Sequence, residues 1–455
     1  MKRVFVKSLL VFVLLFSVMP VGVAAKGGNV GVNITLTADA TTEVLQTLRK
    51  FGSVLNVFDE IDVVVMRVKV NQIDQIEALP FVISINQDAE RLGAPISTVS
   101  VSDFEDGMST WNLDVINVTN VGFNNRTVEY TGEGVYIAVL DTGMRDSWRK
   151  YFPEERIAVE YAKSFGGGGG FGVVSEQPNK WEHDVNGHGM HVASTILGYS
   201  LGATPINGVA PLAKVIPVKV MNQNGRGWSS VITQGILYVT ELKKGPLADH
   251  PVIINMSLGG PVLDGAEKAA IDYAIENGVI IVASAGNNGE NGMGYPGAYE
   301  PVISVAASGW ASEWLSGAWW YAIDDPDPNV PELYYITDFS SRAKEGQDLD
   351  VAAPGSYIVG PYQLNSGNRL SYFYLGGTSM AAPHVSGVVA LMAQKYPALT
   401  AFEAEEILEN TATYLAPGST VVYSPYGTEV EYSWNEDATG SGIVNAMAAL
   451  EALDD

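Results

Sequence analysis

The sequence predicts an α/β protein, a doubly wound and mainly parallel sheet preceded by a small α+β domain of ferredoxin-like order. Three observations carry that prediction. Near-continuous apolar runs, the pattern of strands buried on both faces, recur at residues 135–140, 214–220, 252–255, 279–284 and 302–306. Stretches of helical length and spacing sit among and after them, at 188–198, 230–243, 265–277 and 385–396, and such alternation argues for a parallel sheet. Upstream, residues 29–87 follow the order β-α-β-β-α-β.

The small domain reads element by element. Residues 30–36 alternate as a strand. Residues 42–50 place Val44, Leu45 and Leu48 at helical spacing, with Thr41 or Thr42 as the cap. Residues 54–58 and 61–70 form a paired hairpin. Residues 72–79 are a second short helix, with Ile73, Ile76 and Leu79 on one side and Pro80 as its stop. Residues 81–85 are the last strand. No histidine precedes His183, and no catalytic cluster is present, so this unit reads as a binding or folding module. Residues 86–110 are polar and turn-rich, a linker.

At the N-terminus, Lys2, Arg3 and Lys7 precede an apolar run of about 11 residues, shorter than the roughly 20 that span a bilayer. Val23-Ala24-Ala25 follows, completing the pattern of a cleaved export signal over 1–25. The remaining units are 26–94, a linker and mature N-terminal segment over 95–110, and a large domain over 111–455. The expected location is outside the cell, with no membrane contact after the signal is removed.

Composition narrows the chemistry. Of 455 residues, 47% are apolar and only 17% charged, which excludes a disordered chain. With 26 basic and 51 acidic residues the net charge is −25, which repels phosphates and argues against a nucleic-acid partner. There is no cysteine, so disulfides, zinc thiolates and cysteine nucleophiles are excluded. The glycine run at 166–170 lacks a following Gly-Lys-Ser/Thr and is no phosphate loop.

Three motifs are candidates for chemistry. In Val139-Leu140-Asp141-Thr142-Gly143 an acid ends a buried strand, where α/β sheets build their sites, although aspartate is also a common turn residue. In Asn186-Gly187-His188-Gly189-Met190-His191 two histidines enter a helix. Their i, i+3 spacing without an intervening Glu is poor for a metal; a general base at one and a packed structural histidine at the other is the better reading. In Gly376-Gly377-Thr378-Ser379-Met380-Ala381 a serine begins an apolar helix. It is either a cap or a nucleophile whose small neighbours admit a carbonyl. The final Gly of a Gly-x-Ser-x-Gly elbow is missing, which counts against a lipase-type hydrolase.

In the order Asp, His, Ser these motifs resemble those of the subtilisin-like serine proteases, the family for which that chain order is well established. Residues 29–94 resemble the family's inhibitory propeptide and 111–455 its catalytic domain. The resemblance implies a secreted serine endopeptidase made as a self-processing zymogen and working through an acyl-enzyme. In it Ser379 is the nucleophile, His188 the general base and then acid, and Asp141 the group that orients His188. Ala283-Ser284-Ala285-Gly286-Asn287 resembles the oxyanion segment, so Asn287 becomes the side-chain donor; on its own, Gly-Asn-Asn-Gly reads as a turn.

The resemblance also places the substrate. Gly225, Arg226 and Gly227 form one main-chain edge and Ser257, Leu258 and Gly259 the other, with Gly286 and Gly294 at the pocket for the residue before the scissile bond. That pocket should be roomy, giving broad cleavage after large apolar or aromatic residues. Expected partners are protein and peptide substrates and the chain's own propeptide, as intramolecular inhibitor and folding aid; the enzyme is expected to be monomeric. Self-cleavage falls in 92–108, nearest Ala94.

Departures are Met190 where the family has Thr, a long interval from Asp141 to His188, and an aromatic insertion over 309–338 containing Trp310, Trp314, Trp319, Trp320 and Tyr321. A packed aromatic flap is favoured there over a substrate-binding lip. Calcium is the expected structural cofactor, with Asp325, Asp327 and Asn329 as oxygen ligands; Val330 stands where an EF-hand turn needs Gly. Two readings of other classes remain, an inactive homologue acting as a binding protein and a serine esterase.

Overall fold

The computed structural model describes residues 28–93, 95, 97–100, 109–122, 125–166, 176–202, 204–317, 319–321, 326–363 and 370–454. The export segment 1–25, Ala94, Asp325 and most of the glycine run lie outside the described residues.

The N-terminal domain is built as its pattern requires. It comprises β1 (Asn29–Leu36), α1 (Thr42–Leu48), β2 (Gly52–Phe58), β3 (Val63–Lys69), α2 (Ile73–Glu77) and β4 (Val82–Gln87). The strands form an antiparallel sheet in the order β2-β3-β1-β4. Thr41 caps α1 by accepting from the Val44 amide at 3.4 Å. Val64, Met66 and Val68 of β3 pack inward with Val32, Ile34, Leu48 and Ile76. The alternate residues Val63 and Val65, with Phe58, join a core that belongs to the large domain. β3 therefore buries both faces, and the N-terminal sheet is closed on one side by the rest of the chain.

A short strand, β5 (Glu90–Leu92), leads out of this domain. The large domain follows with β6 (Tyr136–Asp141), β7 (Lys163–Ser164), α3 (His188–Leu197), β8 (Lys214–Lys219), β9 (Arg226–Trp228), α4 (Ser229–Lys244), β10 (Val252–Met256), α5 (Gly265–Glu276), β11 (Val279–Ser284), β12 (Ile303–Trp310), β13 (Tyr334–Ile336), β14 (Val351–Pro354), α6 (Thr378–Lys395), α7 (Ala401–Thr411) and the hairpin β15 (Gly418–Tyr423) and β16 (Glu429–Trp434). The central sheet has the order β13-β12-β11-β10-β6-β8-β7, with β14 added beside β12. Its pairings are parallel except that of β12 with β13. Helices α3 and α6 cover one face, and α4 and α5 the other. The predicted α/β architecture is thus the observed one. Both faces being covered explains why β6, β10 and β11 are buried throughout.

The N-terminal domain sits over α4 and α5, capping the first directly and bonding the cap of the second. Asp88 accepts from the Ser230 amide (3.0 Å) and from the hydroxyls of Ser229 (2.8 Å) and Ser230 (2.7 Å), while the Ser229 amide donates to the Ala89 carbonyl at 2.7 Å. The first amides of a helix have no partner within it, and here the upstream domain supplies one. Asp264 caps α5 and in turn accepts from the side chains of Asn33 and Asn86. Burial raises the Asp88 carboxyl above its ordinary value against the pull of these donors.

The aromatic insertion is a packed block. Trp310, Trp319 and Trp320 are buried, and Trp319 stacks on Tyr374 at 5.5 Å and 9°. Trp314 meets Tyr374 at 4.6 Å and Tyr357 edge-on at 5.0 Å. The favoured flap is what forms, because large rings fill core volume. Glu313 lies buried within it, accepting from the Trp310 amide and the hydroxyls of Ser356 and Tyr335. Burial pushes its carboxyl up to about 8.

A carboxyl raised by folding binds its proton more tightly in the native state. Its stability contribution is intact at low pH and is lost as pH rises from the ordinary carboxylate value through about 8. The variant Glu313→Gln, which mimics the protonated acid, should therefore melt progressively above the wild type between about pH 5 and 8. Melting temperatures across that range check it, and a constant difference would contradict the assigned titration.

Candidate active site

Asp141 ends β6. β8 lies on one side of β6 and β10 on the other, so the sheet reverses its winding there and opens a crevice beyond the carboxyl ends of its strands. His188 opens α3, and its Nδ1 stands 2.9 Å from each Asp141 carboxylate oxygen; both side chains are fully buried. The Thr142 amide also donates to Asp141, at 2.6 Å. A carboxylate accepts only, so Nδ1 carries a proton in this pair, and the lone pair of a neutral ring is at Nε2. That Nε2 is buried with no hydrogen-bond partner among the described residues.

The turn feeding α3 is held by residues that no motif identified. Asp184 accepts from the amides of Asn186 (2.9 Å) and Gly187 (2.6 Å) and from the Thr142 hydroxyl (2.7 Å). Lys219, at the end of β8, lies 3.9 Å from Asp184 and donates to the Thr142 carbonyl. Burial lowers the Lys219 pKa, while Asp184 and Asp141 oppose that shift. An Asp-x-Asn-Gly turn before a helix is a readable signal for Asp184. A lysine at a strand end carries none.

Ser379 is the second residue of α6. Its hydroxyl donates to the Ser257 carbonyl at 3.1 Å, and the Ser257 hydroxyl donates back to the Ser379 carbonyl at 2.8 Å. Asn255 fixes this contact from behind, bonded to Ser257 and Ser386. Asn287 follows β11. Its side-chain oxygen accepts from the Thr378 amide (2.9 Å) and hydroxyl (3.0 Å), which leaves the amide nitrogen as the outward donor. A Cβ on Gly377 would stand 3.5 Å from Asn287 Nδ2 and 3.7 Å from the Ser379 amide nitrogen. Two donors thus converge on a space that exists because residue 377 has no side chain. Thr378 also accepts from the Gly286 amide at 3.2 Å, tying Gly286 into the same turn. Sequence reasoning passed over Thr378 as a mere neighbour of the serine.

The two expected edges face each other, with a strand between them. β5 pairs antiparallel with β9, Leu92 opposite Arg226 and Arg91 opposite Gly227. The Gly93 amide donates to the Gly225 carbonyl at 2.9 Å. On the other side Leu92 and Gly259 exchange both main-chain hydrogen bonds, at 2.9 and 3.0 Å. Gly225 has φ +68°, and a Cβ there would lie 2.1 Å from the Gly93 carbonyl oxygen, so only glycine fits. Below this ladder Leu258 is buried, and Gly260 pairs with Tyr295 through bonds of 2.9 and 2.7 Å. The Gly294 amide donates to the Ala285 carbonyl at 2.8 Å. Both expected edges thus flank this strand, with Ser379 bonded to the Ser257 edge and Asn287 to Thr378 beside it.

The other buried histidines are structural. His191 bonds the Ile358 carbonyl at 3.1 Å, and His384 bonds Asn112 and the Met380 carbonyl; burial brings each down to about 3, so both stay neutral.

For a cation, Asp327 is engaged locally, accepting from the Asn329 amide and side chain. Another group is better suited. Asp348, Asp350 and Glu405 bring ligand oxygens within 4.8 Å of one another. Asp350 Oδ2 accepts from the Ser304 amide at 2.6 Å, while its buried Oδ1 has no partner among the described residues. Burial raises Asp350 to about 8 and Glu405 to about 7, with neighbouring carboxylates adding to both. Glu405 is on α7, far in sequence from the other two, so no local pattern announces the cluster.

Residues 132–429 match the model of the subtilase family. The thermostable alkaline protease of Halalkalibacterium halodurans is 32% identical over 400 residues, covering 88% of this chain and 86% of that one. Subtilisin DY of Bacillus licheniformis is 33% identical over 326 residues, 71% of this chain and 93% of that one. Among solved structures, the crystal structure of fervidolysin from Fervidobacterium pennivorans, a keratinolytic enzyme related to subtilisin, superposes with TM-score 0.67 at 25% identity. The match covers 94% of this chain and 61% of the fervidolysin chain.

Removing Asp184 would strand the buried Lys219 charge and free three donors around His188. Asp184→Ala should lose about 3–5 kcal/mol of stability, whereas Asp184→Asn, which retains an acceptor, should lose less. Denaturation midpoints of the two variants check this; equal midpoints would mean that Asp184 is not what holds the turn.

Proposed function

The chain belongs to the subtilase family and is a serine endopeptidase, and on that premise we propose that Asp141, His188 and Ser379 are its triad and Asn287 its side-chain oxyanion donor. The observation that carries this reading is the strand Glu90–Leu92, hydrogen-bonded by its main chain between two edges beside Ser379. A cleft that satisfies main-chain donors and acceptors on both sides of an extended chain suits a peptide; a simple ester has no such groups. This favours the peptidase over the esterase, and the intact set of chemical groups speaks against an inactive binding protein.

In the proposed reaction His188 Nε2 takes the Ser379 hydroxyl proton as Oγ bonds to the substrate carbonyl carbon. For this the hydroxyl must turn from the Ser257 carbonyl towards His188. Asp141 holds the Nδ1–H tautomer and stabilises the imidazolium. The carbonyl oxygen gains charge and enters the space beside Gly377, between Asn287 Nδ2 and the Ser379 amide. His188 then gives its proton to the leaving amine nitrogen, and the acyl-enzyme forms. Water, deprotonated by His188, releases the acid and returns Ser379.

Gly225, Arg226 and Gly227 on one side and Ser257, Leu258 and Gly259 on the other would hold the substrate backbone. Gly286 and Gly294 would border the pocket for the residue before the scissile bond. A side chain at 294 would meet Gly260 at 3.5 Å, so its absence leaves room. We expect broad cleavage after large apolar or aromatic residues, and preferential cleavage after Arg or Asp in a peptide library would overturn this.

The proposed life cycle starts with removal of residues 1–25 on export. Residues 26–94 then act as inhibitor and folding aid, since their strand β5 occupies the cleft, and self-cleavage occurs near Ala94. The mature enzyme would act outside the cell as a monomer. No helix among the described residues is long and apolar enough to cross a membrane.

We also propose a structural calcium, carried by Asp348, Asp350 and Glu405 in preference to the Asp325, Asp327 and Asn329 segment. The partnerless buried oxygen of Asp350 fits a hard cation, which would supply positive charge among three acids.

Ser379→Ala should remain unprocessed and leave casein intact. Asn287→Ala should lower kcat by ~10²–10³ with KM little changed, the loss known for the corresponding donor in subtilisin itself. Intact mass and steady-state kinetics check both. A processed Ser379→Ala chain would assign the cut to another protease. Chelation should speed thermal inactivation of the wild type, and the effect should vanish in Asp350→Asn. Persistence of the effect in that variant would place the ion elsewhere.

A further inference from the structure

Resting on the peptidase reading of this cleft, we propose that the enzyme selects a basic side chain, arginine above all, at the fourth residue before the scissile bond, and that Glu267 is the residue that reads it.

The register supplies the position. Leu92 is opposite Gly259, and along an antiparallel ladder each step forward on one strand is a step back on the other. A peptide held in this register therefore has, two residues after the one paired with Gly259, the residue opposite Ser257. Ser379 donates its hydroxyl to that Ser257 carbonyl, so this is the residue whose carbonyl it attacks. Counting back, the residue paired with Gly259 is third before the scissile bond. The one opposite Gly227, the position of Arg91, is fourth.

The pocket at that position is built for a cation. Arg91 is fully buried there. Its Nε donates to Glu267 Oε2 at 2.9 Å and its Nη2 to the same oxygen. Nη2 also donates to the Val262 carbonyl at 3.0 Å, and Nη1 to the Glu90 carbonyl at 3.3 Å. Glu267 lies in the first turn of α5 and is itself fully buried, with Oε1 unpartnered among the described residues. Burial raises its pKa and Arg91 opposes that shift. Gly260 forms the wall, since a Cβ there would stand 2.8 Å from Arg91 Nη1 and 3.3 Å from Cδ.

When residues 26–94 depart, Glu267 loses the cation paired with it, Arg91, and Asp264 loses Asn33 and Asn86. Both acids remain at the pocket and add the same sign of charge. A substrate guanidinium restores the pairing, whereas a leucine leaves an acid buried without a partner. Arg226, the cation on the neighbouring edge, reaches Glu90 at 3.5 Å at a half-exposed position and reads the fifth residue weakly at most.

The test uses the mature enzyme and peptides identical except for Arg, Lys, Leu or Glu at the fourth residue before a common cleavage site. The expected kcat/KM order is Arg, Lys, Leu, Glu, with Arg above Leu by at least about tenfold. Glu267→Leu should reverse the Arg and Leu preference. Equal rates for Arg and Leu in the wild type, which needs no variant to fold, would overturn the proposal and leave the peptidase reading standing. Failure to cleave any peptide or casein would overturn both.

Discussion

The main-chain ladder between Leu92 and Gly259 is the contact on which the state of this molecule depends. The cleft edges carry donors and acceptors that must be satisfied by an extended chain or by water. The chain's own segment satisfies them, so the peptide that fills the cleft is covalently part of the protein that built it. These are main-chain hydrogen bonds, so they form independently of side chains. What side chains add is affinity and register.

That register is held by polar groups under the N-terminal domain. Asp88 and Asp264 cap two helices, and Arg91 meets Glu267 in complete burial. A buried ion pair is weak evidence of stability, because desolvation offsets the attraction. Its effect is on alignment: an arginine one residue out of place would leave Glu267 uncompensated. Apolar burial of Phe58, Val63 and Val65 against α4 and α5 supplies the adhesion, which a chain without disulfides must obtain from packing.

The proposed catalytic groups are arranged by the same economy of partners. Every acceptor around Asp141, Asp184 and Asn287 is engaged, and the groups left open are His188 Nε2 and the donors beside Gly377. Those are the groups the proposed chemistry needs free. Donors fixed before substrate arrives require little reorganisation when charge develops, which is how a buried polar site lowers a barrier.

Much was legible in the residues themselves. Period-two and apolar-run patterns located β1 to β4 and the central strands β6, β8, β10, β11 and β12 to within a few residues, because hydrophobic periodicity reflects which faces are covered; the short strands β5, β7, β9, β13 and β14 and the hairpin of β15 and β16 carried no such run and were not read. Asp141, His188 and Ser379 stood out as candidates because each sits at the end of a strand or the start of a helix, where short motifs keep their geometry; their proposed roles, and Asn287 altogether, came from the family resemblance. The groups that escaped reading are pairs distant in sequence: Arg91 with Glu267, Asp184 with Lys219, and Glu405 with Asp348 and Asp350. A buried charge looks in sequence like a surface one. Its partner, and hence its role, is decided only when packing brings the two together and excludes the water that would otherwise solvate them.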